Sequence, residues 1–115
     1  MFNGIIYNTG IIEKILRGKN SVELVIKSQL KFKNYEVGSS VCCNGTCLTV
    51  TKIRKNSISF YLSYETLKKT NFKFAQKGDL INIEKSLTYG TKISGHYIQG
   101  HVDTTAKVKS VIILD

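Results

Sequence analysis

With 115 residues, 42% hydrophobic and 22% charged, the chain is long enough for one domain with a real core and ordinary in composition for a globular protein. No apolar run approaches the ~20 residues of a membrane span, and Asn3, Asn8 and Glu13 interrupt the N-terminus where a signal peptide needs an unbroken apolar stretch; a cytoplasmic protein with no membrane partner is expected. The formal charge is +9, yet the basic residues are spread along the chain, with short clusters only at Lys31/Lys33, Lys52/Arg54/Lys55 and Lys68/Lys69, which reads as a solvated surface rather than a nucleic-acid track.

In chain order, strands are expected at Ile11–Leu16, Ser21–Lys27, Ser39–Cys43, Thr46–Ile53, Ser57–Leu62 and Leu80–Lys85. These stretches are rich in Val, Ile, Thr and aromatics, and several alternate in polarity. Gly18/Asn20, Gly38, Asn44-Gly45, Lys55-Asn56 and Gly78-Asp79 punctuate them. Tyr64–Thr70 alone reads as helical. Six short strands joined by tight turns point to a small antiparallel barrel or sandwich. Closing the sheet removes the exposed edges that a strand-rich chain without proline must otherwise protect. The expected fold is therefore all-β, a six-stranded antiparallel closed barrel of Greek-key type with one short helix.

Asn44-Gly45 is the sharpest local signal, because this pair favours a two-residue type I′ hairpin turn. The turn sets the register: Cys43 opposite Thr46, Cys42 opposite Cys47, Val41 opposite Leu48 and Ser40 opposite Thr49. Side chains alternate between faces. Val41, Cys43, Thr46, Leu48 and Val50 make a core face. Ser40, Cys42, Cys47, Thr49 and Thr51 make a band of hydroxyls and thiols, a poor core but a suitable pocket wall.

The three cysteines do not resemble a secreted disulfide framework. Cys-Cys-x3-Cys also lacks metal-ligand spacing, and His96 and His101, five apart, fall on opposite faces of a strand, so no metal is expected. Cys42 and Cys47 should face each other across the ladder, reduced in the cell but able to bridge in air. No phosphate loop occurs, since Tyr89-Gly90-Thr91-Lys92 lacks its first glycine. A basic barrel stacking bases on Phe60 and Tyr61 beside Lys52, Arg54 and Lys55 is an alternative class, but Phe60 alternates with Ile58 and Leu62 and so reads as core.

The chain also echoes itself. Gly, aliphatic, Thr, small, aliphatic and aliphatic recur at 4/100, 6/102, 9/105, 10/106, 12/108 and 15/111, a constant offset of 96 positions. Such a period describes a duplicated domain, not a solenoid. Residues 1–96 are read as one unit and residues 97–115 as the start of a second, truncated one.

Four segments carry a resemblance to a known family: Met1-Phe2-Asn3-Gly4-Ile5-Ile6, Val41-Cys42-Cys43-Asn44-Gly45-Thr46-Cys47-Leu48-Thr49-Val50, Glu65-Thr66-Leu67 with Thr70-Asn71, and Gly95-His96 with Gly100-His101-Val102-Asp103. In order and spacing they resemble riboflavin synthase over essentially the whole chain. The resemblance implies two tandem lumazine-binding barrels, of which this chain carries the first. It implies dismutation of two 6,7-dimethyl-8-ribityllumazine molecules to riboflavin and a ribitylamino-pyrimidinedione, without metal or cofactor. It implies a site shared between barrels of neighbouring subunits in a homotrimer, and pairing of two copies as a dimer for a chain with one barrel. The ligand-binding residues implied are Gly4, Ile5, Ile6, Cys47, Leu48, Thr49, Tyr61, Leu62, Ser63, Tyr64, Glu65, Thr66, Gly100, His101 and Val102. Of these, Ser63, Glu65 and Thr66 suit the ribityl hydroxyls. His101 is the candidate base, and Ser40 and Cys47 are candidates for adding to, or delivering water to, the electrophilic ring carbon. Phe2 either packs over the ring or belongs to the core. The alternatives are a non-catalytic, antenna-type lumazine or flavin carrier and, further off, the nucleic-acid module.

Overall fold

The computed structural model describes residues 1–115. Six strands, β1 (Asn8–Arg17), β2 (Ser21–Lys27), β3 (Ser40–Cys43), β4 (Thr46–Ile53), β5 (Ser57–Ser63) and β6 (Leu80–Lys85), are joined by one short helix, α1 (Tyr64–Lys69), between β5 and β6. They close into an antiparallel barrel in the order β1-β2-β5-β4-β3-β6. β3, β4 and β5 are consecutive hairpin partners, and β6 returns by a longer path to lie beside β3, which is a Greek key. The expected barrel, its handful of strands and its single α-helix are all present.

The hairpin register is the one the Asn-Gly turn dictates: Ser40, Val41, Cys42 and Cys43 pair with Thr49, Leu48, Cys47 and Thr46. Asn44 and Gly45 both take positive φ, 48° and 82°, as a type I′ turn requires. Asn44 also ties the turn to β6, its Oδ1 accepting the Asn82 N–H at 2.8 Å. Val41, Cys43, Thr46, Leu48 and Val50 are all buried.

Two bulges account for apolar residues that break the alternation. The β1–β2 register shifts between Ile12 and Lys14, and the β4–β5 register between Val50 and Lys52. Each extra residue re-phases its strand, so Ile15 and Ile53, three positions beyond Ile12 and Val50, turn back toward the core they pack against. Fourteen buried residues form that core, among them Ile12, Leu24, Ile26, Phe60, Leu62 and Ile83. Each fully buried aliphatic or phenyl group stabilises the fold by roughly 1.5–3 kcal/mol relative to exposure. Phe60 is wholly interior, so the aromatic platform required by the nucleic-acid alternative does not face solvent there.

Two 3-10 turns, Asn34–Glu36 and Asn71–Phe74, have no counterpart in the sequence reading. The second matters to the core. Thr70 Oγ1 donates to the Thr66 carbonyl at 2.8 Å and accepts the Phe72 N–H at 3.3 Å, ending α1 and turning Phe72 into the core cluster. Residues 103–115 add no strand and leave Val108, Val111, Ile112, Ile113 and Leu114 exposed.

Candidate functional site

The outer wall of β3, β4 and β5 carries the hydroxyl and thiol band. Register places Ser40 beside Thr49, Thr49 beside Tyr61, and Cys42 beside Cys47. Thr49 and Tyr61 are exposed, and Ser40 and Cys47 are partly so. Leu48 and Leu62 point into the core, so only their backbone is available on this wall. At its end β5 turns into α1. Ser63 caps the helix, its Oγ accepting the Thr66 N–H at 3.1 Å and donating to Thr66 Oγ1 at 3.1 Å. That turn carries Glu65 and Thr66 to the side of Cys47. Tyr64 is directed away instead, its hydroxyl donating to the Gly18 carbonyl at 3.1 Å.

A segment from near the C-terminus completes the site. The Thr49–Tyr61 register would set Cys47 opposite Ser63, but β5 ends there. The Cys47 N–H donates instead to the Gly100 carbonyl at 2.8 Å. This bond seats residues 100–102 against the barrel and forms a groove of about 180 Å³ lined by Thr46, Cys47, Glu65, Thr66, Lys69, Thr70, Gly100, His101 and Val102. A neighbouring groove of about 220 Å³ shares Thr46, Thr70 and Val102 with it. Pockets that enclose a drug-sized ligand hold ~300–1,000 Å³. The first groove by itself therefore cradles part of such a molecule and leaves the rest open.

The structure thus brings together Cys47, Glu65, Thr66, Gly100, His101 and Val102 from three distant stretches of chain. Ser40 lies one row away along the same wall, its carbonyl accepting the Ser86 hydroxyl. Gly4, Ile5 and Ile6 do not line the groove. Gly4 packs against Ile98 and donates its N–H to Glu84 at 3.0 Å. Phe2 is fully buried and exchanges backbone hydrogen bonds with Ile98, so its role is packing. Thr46, Lys69 and Thr70 line the groove and were not expected. For the latter two the signal was helical spacing, since Lys69 and Thr70 stand four residues after Glu65 and Thr66.

Lys69 Nζ meets Glu65 Oε1 at 2.9 Å. This contact holds the Glu65 carboxyl below the usual carboxylate range and the Lys69 ammonium above its own, so the rim carries one fixed charge of each sign. Burial, followed by the nearby Glu84 carboxylate, pushes the Cys42 thiol up to about 11, and burial drives Cys43 higher still. All three thiols are free. With Cys42 and Cys47 directly opposed, oxidation is expected to bridge them. Air-oxidised protein should retain one alkylatable cysteine by mass spectrometry, with bridging faster as pH rises, because the thiolate is the reactive form. Three alkylated cysteines after prolonged oxidation would sink the idea.

A closed Greek-key barrel with an open, partly polar groove on its outer wall has a form that can cradle part of a small molecule. Residues 3–86 match the family described as the lumazine binding domain, and the chain belongs to that family. It is 35% identical to the riboflavin synthase of Bacillus subtilis (strain 168) over 111 residues, 96% of this chain and 52% of that protein. It is 37% identical to the riboflavin synthase of Escherichia coli (strain K12) over 113 residues, 97% of this chain and 53% of that protein. The chain therefore spans about half the length of these relatives. Among solved structures, LumP complexed with riboflavin superposes with a TM-score of 0.74 at 24% identity, over 90% of this chain and 56% of that one, a likeness of fold. LumP complexed with flavin mononucleotide superposes with a TM-score of 0.63 at 28% identity, over 80% of this chain and 54% of that one.

Proposed function

We propose that this chain is the first lumazine-binding barrel of a riboflavin synthase, holding 6,7-dimethyl-8-ribityllumazine or riboflavin on its outer wall. The observation that carries this reading is the convergence of Cys47, Glu65, Thr66 and Gly100–Val102 on one groove. A planar heterocycle would lie along Thr49 and Tyr61, with backbone groups of Leu48 and Leu62 matching its pyrimidine edge. Its ribityl hydroxyls would reach Ser63, Glu65 and Thr66. His101 would take a proton from the 7-methyl group, leaving a carbanion delocalised into the ring, while Cys47 and Ser40 serve the electrophilic carbon. No cofactor enters this scheme.

The domain repeat belongs to the same proposal. Phe2 and Ile98, which stand at the offset of Gly4 and Gly100, bond to each other reciprocally, Phe2 N–H to the Ile98 carbonyl at 2.7 Å and Ile98 N–H to the Phe2 carbonyl at 2.9 Å. Gly4 and Gly100 share a positive φ, 81° and 79°. Both features support a local two-fold relation between unit one and the opening of unit two. On that reading Gly4–Ile6 is the twin of Gly100–Val102 and serves the equivalent groove of a second unit. Thr104–Ile113, which exposes Val108, Val111, Ile112 and Ile113, is on the same reading the twin of β1 without its neighbours. A second barrel, or a second copy in a dimer, would cover the open side of the groove.

The test is titration with 6,7-dimethyl-8-ribityllumazine, following its fluorescence together with riboflavin formation and sedimentation. A saturable fluorescence shift at one ligand per chain is expected, with dimers at tens of micromolar protein. Absence of any shift overturns the binding reading. The second reading is a carrier that binds a flavin or lumazine without turnover, in line with the likeness to LumP complexed with flavin mononucleotide; riboflavin production proportional to protein would exclude it.

A further inference from the structure

The scheme above leaves Glu84 unused, although its contacts are unusual for a surface carboxylate. Glu84 lies on β6 opposite Cys42, and its Oε2 accepts the Asn3 N–H at 2.6 Å while Oε1 accepts the Gly4 N–H at 3.0 Å. Two successive backbone donors thus converge on one carboxylate, an arrangement that charge makes strong. The strap so anchored is bound on its other edge to the segment that walls the groove. Phe2 and Ile98 exchange hydrogen bonds at 2.7 and 2.9 Å, and the Asn3 carbonyl accepts the His96 N–H at 3.3 Å. The fit is close: a Cβ on Gly95 would lie 2.5 Å from that Asn3 oxygen. Beyond Ile98 the next backbone tie to the barrel is the Gly100 carbonyl on the Cys47 N–H.

Residues 98–102 are therefore held by two fixtures, the strap and Cys47, and Glu84 pins the strap together with the buried Phe2 and the Leu87 N–H on the Met1 carbonyl at 2.9 Å. We infer that Glu84 is a positioning residue for the ligand groove: by anchoring residues 3 and 4 it holds Ile98–Val102, His101 included, across the face of β4. The charge type matters to the geometry. A carboxylate presents two acceptors to two N–H groups, whereas glutamine would turn an amide donor toward one of them. This inference rests on the ligand site proposed above.

The experiment compares wild type, Glu84→Ala, Glu84→Gln and Glu84→Asp by lumazine titration and by NMR of the His101 ring, with circular dichroism as the check on folding. Glu84→Ala should weaken lumazine binding about tenfold, the scale of a lost hydrogen bond to a charged group, and should broaden or shift the His101 signals. Glu84→Asp should recover part of the affinity, and Glu84→Gln should recover less. A merely structural role is separated by combining Glu84→Ala with Gly100→Ala, which unseats the same segment from Cys47. The combined loss should be well below the product of the single losses, because both act on one seat. Multiplicative losses, or His101 signals identical to wild type in Glu84→Ala, overturn the inference. If Glu84→Ala does not fold, Glu84→Gln carries the same comparison. If wild type binds no lumazine, the site proposal fails on its own, and the His101 signals still decide whether Glu84 orders the segment.

Discussion

Gly100→Ala is expected to cost roughly 30-fold in lumazine affinity, about 2 kcal/mol, while leaving the barrel folded. Gly100 sits at φ +79°, where an L-side chain is strained. A Cβ there would lie 2.9 Å from the Cys47 nitrogen, 3.0 Å from its Cβ and 3.3 Å from its Cα. Two of those three atoms belong to the backbone of a barrel strand, so β4 cannot yield and the segment must. Losing the seat moves His101 and Val102 away from Cys47, Glu65 and Thr66, and the groove opens. Neither Gly100 nor Cys47 belongs to the fourteen-residue core, so the melting temperature should fall by only a few degrees. Titration of the variant beside a thermal melt checks both halves. Affinity within threefold of wild type would show that residues 100–102 do not wall the site.

The contrast between that segment and the hairpin explains what the sequence could reveal. The register of Ser40–Cys43 on Thr46–Thr49 was readable because two adjacent residues, Asn44 and Gly45, determine it through local φ alone. Sorting Val41, Cys43, Leu48 and Val50 from Ser40, Cys47 and Thr49 then required only alternation. The bulges after Ile12 and Val50 were not readable, because nothing in Glu13 or Thr51 announces an extra residue; partner strands impose it. β1 begins at Asn8 rather than Ile11 for a similar reason, since β6 extends the pairing to Asn8 opposite Ile83.

Cys42 shows the same limit in one side chain. By alternation it lies on the hydroxyl face, yet it is buried. Its cover is long-range, with Glu84 from β6 beside it and the N-terminal strap bonded to that carboxylate. The site divides along similar lines. The short helix that carries Glu65 and Thr66 was legible as a local pattern, whereas their place in the site was implied by the family resemblance. That Gly100–Val102 lies against Cys47 came only from the family resemblance, because the tie spans more than fifty residues and one backbone hydrogen bond. The resemblance also implied Gly4–Ile6 as ligand contacts, and none of the three lines this groove, Gly4 packing against Ile98 and bonding to Glu84 as part of the strap. On the proposed repeat, a motif recurring at an offset of 96 serves a different groove in each copy.

His101→Gln is expected to lower kcat for riboflavin formation by about 10²–10⁴-fold, the range for removing a general base, in a protein carrying a second lumazine-binding repeat after residue 96. The lumazine Kd should stay within about threefold, because the segment's seat is the Gly100 carbonyl and not the imidazole. Glutamine keeps the side chain polar and of similar reach but cannot accept a proton near neutrality, whereas imidazole can. On the proposed scheme this group removes a proton from a methyl carbon, and in the groove it stands with a thiol, Cys47, and one acidic residue, Glu65, already engaged by Lys69. Cys47→Ala separates the roles further. If the thiol only assists addition to the ring, its loss should be smaller than that of His101. Unchanged kcat in His101→Gln would remove the base assignment and shift attention to the second repeat. A wild-type two-repeat protein that binds lumazine tightly and forms no riboflavin would decide for the carrier reading instead.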